Sequence, residues 1–178
     1  FDVGTPKNYL EAMKNLLHGG FTMLSEFGGR ISPDKQIWVQ GDSNDAAKRR
    51  QEIVRKVKQG KITIEGAVLI GRHCDIDDGV RIVDSCIDNF THIGKGAVIE
   101  NSAVMDRATI GENAEIFDSI IGRHTKVLSS SRNPTKITGV SVVADDVIIQ
   151  EGSNLVATKI YPHQNARGDF NNQTLISN

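Results

Sequence analysis

Cysteine is nearly absent. Cys74 and Cys86 are the only two in 178 residues, and their spacing suits neither a disulfide framework nor a metal site. Aromatic residues are scarce too, at 5% of the chain, so the core must be built from many small, similar side chains. Charge of neither sign dominates. The formal net charge is −1, which excludes the basic footprint of a nucleic-acid binder or an anionic-membrane binder. No apolar run approaches the roughly 20 residues of a membrane-spanning helix. The expected setting is aqueous and reducing, with a cytoplasmic location as the default.

What is abundant is glycine and β-branched residues, dispersed at regular intervals. From Ile64 a step of six reaches Ile70, Ile76 and Ile82, and a step of five reaches Ile87. Sixes then give Ile93 and Ile99, a five gives Val104, sixes give Ile110 and Ile116, a five gives Ile121 and a six gives Val127. Four residues beyond many of these rungs stands a small side chain: Cys74, Thr91, Ala97, Ala108, Ala114 or Thr125. Gly71, Gly94, Gly111 and Gly122 each follow a rung directly. Amphipathic helices repeat every 3.6 residues and half-buried strands every two, so neither yields a six-five-six ladder. This is the hexapeptide pattern of a parallel β-helix, in which each unit makes one side of a triangular coil. The short steps fall at Ser85, Ser102 and Ser119, so one corner is tightened in every coil.

The ladder breaks at "LSSSRNPTKITG", which reads as a loop over 128–139, and resumes at Val143, Ile149, Leu155 and Ile160. The tail, 161–178, is polar and is expected to cap the open end. Upstream, "FDVGTPKNYLEAM" places Thr5 as a helix cap and Pro6 in the first turn, with Tyr9, Leu10, Met13, Leu16 and Leu17 at helical spacing. A second helix in "SNDAAKRRQEIVRKVKQG" puts Ile53, Val54 and Val57 on one face. The expected organisation is therefore 1–60 as the end of another domain plus a helical linker, 61–160 as the β-helix, and 161–178 as the cap. The start within a turn suggests the back part of a longer protein.

Residues just before the rungs point outward, so each side of the prism can be read separately. Thr63, Arg81, Val98 and Glu115 share one side, and Asp75, His92, Thr109 and Lys126 share a second, which is wet. The third carries Leu69, Cys86, Ala103 and Ile120, apolar in all four coils. Such a stripe implies a partner: a second copy in a homo-oligomer, a trimer by preference, or the chain's own upstream part folding back.

Together, "FDVGTPKNYLEAM", a connecting helix, "GAVLIGRHCDIDDGVRI" and "KIYPHQ" resemble the sugar-1-phosphate nucleotidyltransferases, whose catalytic domain is followed by a left-handed β-helix. The resemblance implies that an intact protein joins a nucleoside triphosphate to a sugar 1-phosphate and releases pyrophosphate with the help of Mg²⁺. It also implies that Asp2, in the D-x-G-T motif, is one metal ligand there, and that the catalytic domain itself is a partner. This segment alone is expected to hold no cofactor and no catalytic residue, and to serve assembly or regulation.

The alternative is a hexapeptide acetyltransferase using acetyl-CoA on a sugar or sugar phosphate, which needs a histidine base. His73 and His124 both stand in "IGRH", where the repeat alone explains them; His92 precedes a rung, and His163 lies past the ladder. The K-A-G-H loop of the bifunctional relatives is missing from this sequence. Arg72, Arg81, Arg107 and Arg123 could form a phosphate track, though three of them fall at corners where charges are usually solvated.

Overall fold

The computed structural model describes residues 3–19, 28–32 and 34–176. Helix α1 (Pro6–His18) starts at Thr5, whose hydroxyl accepts the Asn8 N–H at 3.2 Å. Strands β1 (Gly28–Arg30) and β2 (Ile37–Gln40) form an antiparallel hairpin. Helix α2 (Asn44–Lys58) is capped by Ser43, which accepts the Ala46 N–H. The coils then begin with β3 (Thr63–Glu65), β4 (Val68–Ile70) and β5 (Asp75–Ile76), one strand to each side of a triangular prism. Face A runs from the hairpin through β4 and holds nine strands; face B starts at β3 and holds seven; face C starts at β5 and holds six. Every described pairing between coils is parallel, so the fold is a parallel β-solenoid.

The register matches the ladder. On face C, Ile76, Ile93, Ile110, Val127 and Ile149 are direct neighbours in successive coils. All the expected rungs from Ile64 to Val127 are buried, most of them completely. Stacking identical β-branched side chains about 4.8 Å apart fills the prism with little void and suits the strand backbone.

The tight corner has a polar explanation. Ser85, Ser102 and Ser119 are fully buried, and each hydroxyl donates to a carbonyl two residues back: Val83, Glu100 and Phe117, all at 2.7 Å. Each of the first two also accepts the backbone N–H of the serine one coil later, at 3.1 Å. The hydroxyl thus closes the short turn and ties neighbouring coils, and Ser141 with Thr158 repeats the bond at 3.0 Å. Glycine after a rung answers a different demand. A Cβ at Gly122 would stand 2.4 Å from the Ala144 carbonyl carbon in the next coil, closer than any side chain can approach.

Three features depart from the sequence reading. Residues 136–138 form a face-B strand with Ile137 fully buried, so the excursion from the coil is shorter than 128–139. Its neck is closed by Thr135, whose hydroxyl donates to the Leu128 carbonyl at 2.7 Å and whose backbone N–H donates to the Ser129 hydroxyl oxygen at 3.0 Å. The tail makes another coil: Asn165–Ala166, Asp169–Asn171 and Thr174–Leu175 pair with the coil before them. Its many polar side chains point outward, while Ala166 is buried and Phe170 and Leu175 pack on the core. Finally, β2 extends face A by one strand ahead of the ladder, burying Ile37, Trp38 and Val39.

The opposite end is plugged by α2. Its Ile53 joins the solenoid core, Val57 packs against that core, and Lys56 donates to the Ile76 carbonyl at 2.6 Å. Exposed backbone at a solenoid end invites unwanted pairing, so a helical plug here protects the first coil.

Candidate functional site

The apolar stripe expected from the sequence is a continuous band on face A. Leu69, Cys86, Ala103 and Ile120 stand in register on consecutive coils, with Trp38 before them and Val142 after. Outward residues of a bare prism would be exposed, yet Ala103 is only 2% exposed. Helix α1 accounts for this. It buries Leu10 and Leu17, and its Lys7, Leu10, Glu11 and Lys14 face Asn101, Asp118, Gly139 and Val140 across a cleft. Tyr9 lies near enough to Cys86 and Asp88 that these, after burial itself, push its phenol above the ordinary range. Burial likewise pushes the Cys86 thiol up to about 12, with Asp88 and Cys74 adding to the effect. Cys74, inside the prism, is pushed to about 11 by burial. Neither cysteine is suited to act as a nucleophile, because a nucleophile needs thiolate.

The C-terminal end of α1 is fixed by Asp84, a residue the sequence reading did not single out. Asp84 occupies the tight corner between faces B and A, in the left-handed region at φ 46°. Its carboxylate accepts the Ala67 N–H at 3.0 Å, pairs with Lys14 Nζ at 3.1 Å and meets His18 Nε2 at 2.7 Å. Burial alone would raise its pKa, but the Ala67 N–H, Lys14 and His18 outweigh burial and hold the carboxyl below the ordinary range. The only signal in the sequence was the spacing of Lys14 and His18, four apart on one helix face.

The histidines fall at separate places. The His73 ring stacks on Phe90, with centroids 5.0 Å apart, and the Arg107 guanidinium lies 4.9 Å from the centre of that same ring. His124 and His163 flank Asp146, at 3.5 and 3.9 Å. These residues form a column along the corner between faces A and C, all at positive φ. The strain is offset by bonds to the preceding coil, as where the Phe90 N–H donates to the Arg72 carbonyl at 2.8 Å. His92 stands on face C between Asp75 and Asp77, at 3.5 and 3.6 Å. That trio has ligand atoms within 4.8 Å of one another and is the one grouping among the described residues whose geometry could hold a cation. Asp2, the expected magnesium ligand, lies outside the described residues.

The four arginines do not converge on a phosphate track. Arg81 bridges Glu65 and Glu100 on face B, at 2.8 and 3.2 Å. Arg107 pairs with Asp106. Arg123 grips Asp145 through Nε and Nη2, at 3.1 and 3.0 Å. Arg72 sits beside His73 in a shallow cleft with Gly41, Asp42 and Ser43.

Comparison with known proteins fits this architecture. Residues 64–176 match the family described as GMPPB C-terminal domain. A glucose-1-phosphate adenylyltransferase of Desulfitobacterium hafniense is 32% identical over 176 residues, covering 94% of this chain and 38% of that protein. The bifunctional protein GlmU of Thermodesulfovibrio yellowstonii is 34% identical over 95 residues, covering 49% of this chain and 21% of its own length. The chain thus spans well under half the length of these curated relatives. Among solved structures, the acetyltransferase domain of PglB from Neisseria gonorrhoeae superposes with a TM-score of 0.56 at 13% identity, over 68% of this chain and 63% of that one. At that identity the likeness concerns the fold alone. With more than half of its residues matched, all within the coils just described, the chain belongs to the GMPPB C-terminal domain family.

Proposed function

We propose that this chain is the assembly and regulatory β-solenoid of a sugar-1-phosphate nucleotidyltransferase, an enzyme that makes nucleoside-diphosphate sugar and pyrophosphate from a nucleoside triphosphate and a sugar 1-phosphate. The observation that carries the reading is the family match over the coils, residues 64–176. The similarity of nearly the whole chain to a glucose-1-phosphate adenylyltransferase supports it. In the intact enzyme Mg²⁺ would be held partly by Asp2 and would neutralise charge developing at the α-phosphorus. The described residues contribute shape: a rigid prism, a plugged end, and a face that seats α1. We place the enzyme in the cytoplasm as a homo-oligomer, a trimer by preference. The face-A band could serve a second copy only where α1 stands off it. The test is pyrophosphate release from triphosphate, sugar 1-phosphate and Mg²⁺. The isolated chain should give none above blank, and clear turnover by it would overturn the reading.

One observation favours a second reading, an acetyltransferase acting on a sugar or sugar phosphate. An exposed imidazole held beside a carboxylate, as His124 is by Asp146 at 3.5 Å, is an arrangement a general base can use. Release of free coenzyme A from acetyl-CoA in the presence of amino sugars, abolished by His124→Ala, would establish it.

A further inference from the structure

We propose that Asp84 is a latch that fixes the rotation and height of helix α1 on face A. The latch does not depend on the proposed function. Three donors converge on the Asp84 carboxylate from two separate elements. The Ala67 N–H, at 3.0 Å, belongs to the solenoid, while Lys14 at 3.1 Å and His18 at 2.7 Å belong to α1. The side chain of Asp84 is 17% exposed, against 44% and 45% for its two helix partners, so the solenoid supplies the shielded carboxylate and the helix the outer Lys14 ammonium and His18 imidazole.

Its position gives the contact leverage. Asp84 stands at the corner where face B turns into face A, two residues before Cys86 in the band. Elsewhere α1 buries Leu10 and Leu17 and brings Tyr9 close to Cys86, with Lys7 and Glu11 along the cleft beside Asn101 and Asp118. An apolar contact gives adhesion without register, whereas a carboxylate with three convergent donors fixes one rotation and one height of the helix. Asp84 is therefore a positioning residue, and Cys86, half-buried under the helix, reports whether the helix is seated.

The experiment measures thiol modification of Cys86 by a disulfide reagent at one fixed pH, with Cys74 as an internal marker of coil opening. The variant Asp84→Asn keeps an acceptor for the Ala67 N–H and tolerates the left-handed corner, yet removes the charge. Relative to wild type it should speed Cys86 labelling roughly tenfold, the scale of a lost charge-assisted contact, while Cys74 stays slow and the far-UV spectrum stays unchanged. Lys14→Met alters only the helix side and should act in the same direction. Asp145→Asn, which breaks a comparable corner pair with Arg123, should not. Unchanged Cys86 labelling in both Asp84→Asn and Lys14→Met overturns the latch. So does equal acceleration of Cys74, because the solenoid and not the helix would then be opening. Absence of nucleotidyl transfer in a longer chain would defeat the functional reading and leave this result untouched.

Discussion

At the scale of single residues, the solenoid depends on side chains doing one job many times. Ser102 donates to the Glu100 carbonyl and accepts the Ser119 N–H in a fully buried corner. Ser102→Ala would leave that N–H buried without an acceptor, and unfolding by urea should show a loss of about 1–3 kcal/mol. Ile110, buried between Ile93 and Val127, should cost more on truncation to alanine, about 2–5 kcal/mol, because transfer and cavity terms add. His124→Ala, on an exposed corner, should cost well under about 1 kcal/mol. A ranking with His124 above Ile110 would mean that the register is misassigned.

At the scale of elements, strands of two or three residues cannot persist alone, and corners decide which coil each one joins. Two corners carry carboxylates below the ordinary range. Asp145 is held there against its own burial by the Arg123 backbone N–H and guanidinium, and Asp84 by the Ala67 N–H, Lys14 and His18. A depressed carboxyl stabilises the fold fully above the ordinary value near about 3.9, and that stabilisation is lost as pH falls toward the folded value. Asp145→Asn should therefore be less stable than wild type near neutrality and lose less on acidification, so the two denaturation curves converge at low pH. Curves that stay parallel would show that the Arg123 contact contributes nothing.

These elements were unequally legible in the sequence. The rungs and the tight corner were plain, because Ile and Val at fixed steps and serine in every coil are local signals. Ile137 was hidden by the inserted residues before it, which break the step while leaving the strand intact. The last coil reads as a cap because its outward positions are Asn, Asp, Gln and Thr, while few inward ones are aliphatic. β2 gave no periodic cue, since it lies outside the repeat. For the Asp84 contact the sequence offers only the spacing of Lys14 and His18, which names no partner. The contact joins residues 66 apart in sequence and exists only because a helix returns to lie over a face.

At the scale of the whole molecule, a plugged prism carries an apolar band with a helix on it. Ile120→Glu would place a carboxylate inside that band without a partner, a penalty of several kcal/mol if the site stays dry. If copies meet along this face, light scattering should show a lower mass, with Lys126→Glu on the wet face C leaving it unchanged. An unchanged mass for Ile120→Glu would assign the band to α1 alone. Under the proposed function, these coils assemble a nucleotidyltransferase whose chemistry lies in a separate domain. The test compares a polypeptide that carries the proposed catalytic domain ahead of this chain with the same polypeptide lacking 61–178, recording mass and pyrophosphate release together. The intact form should release pyrophosphate as a defined oligomer, and the truncated form should lose that assembled mass. Identical mass and identical rate in the two forms would contradict the proposed function.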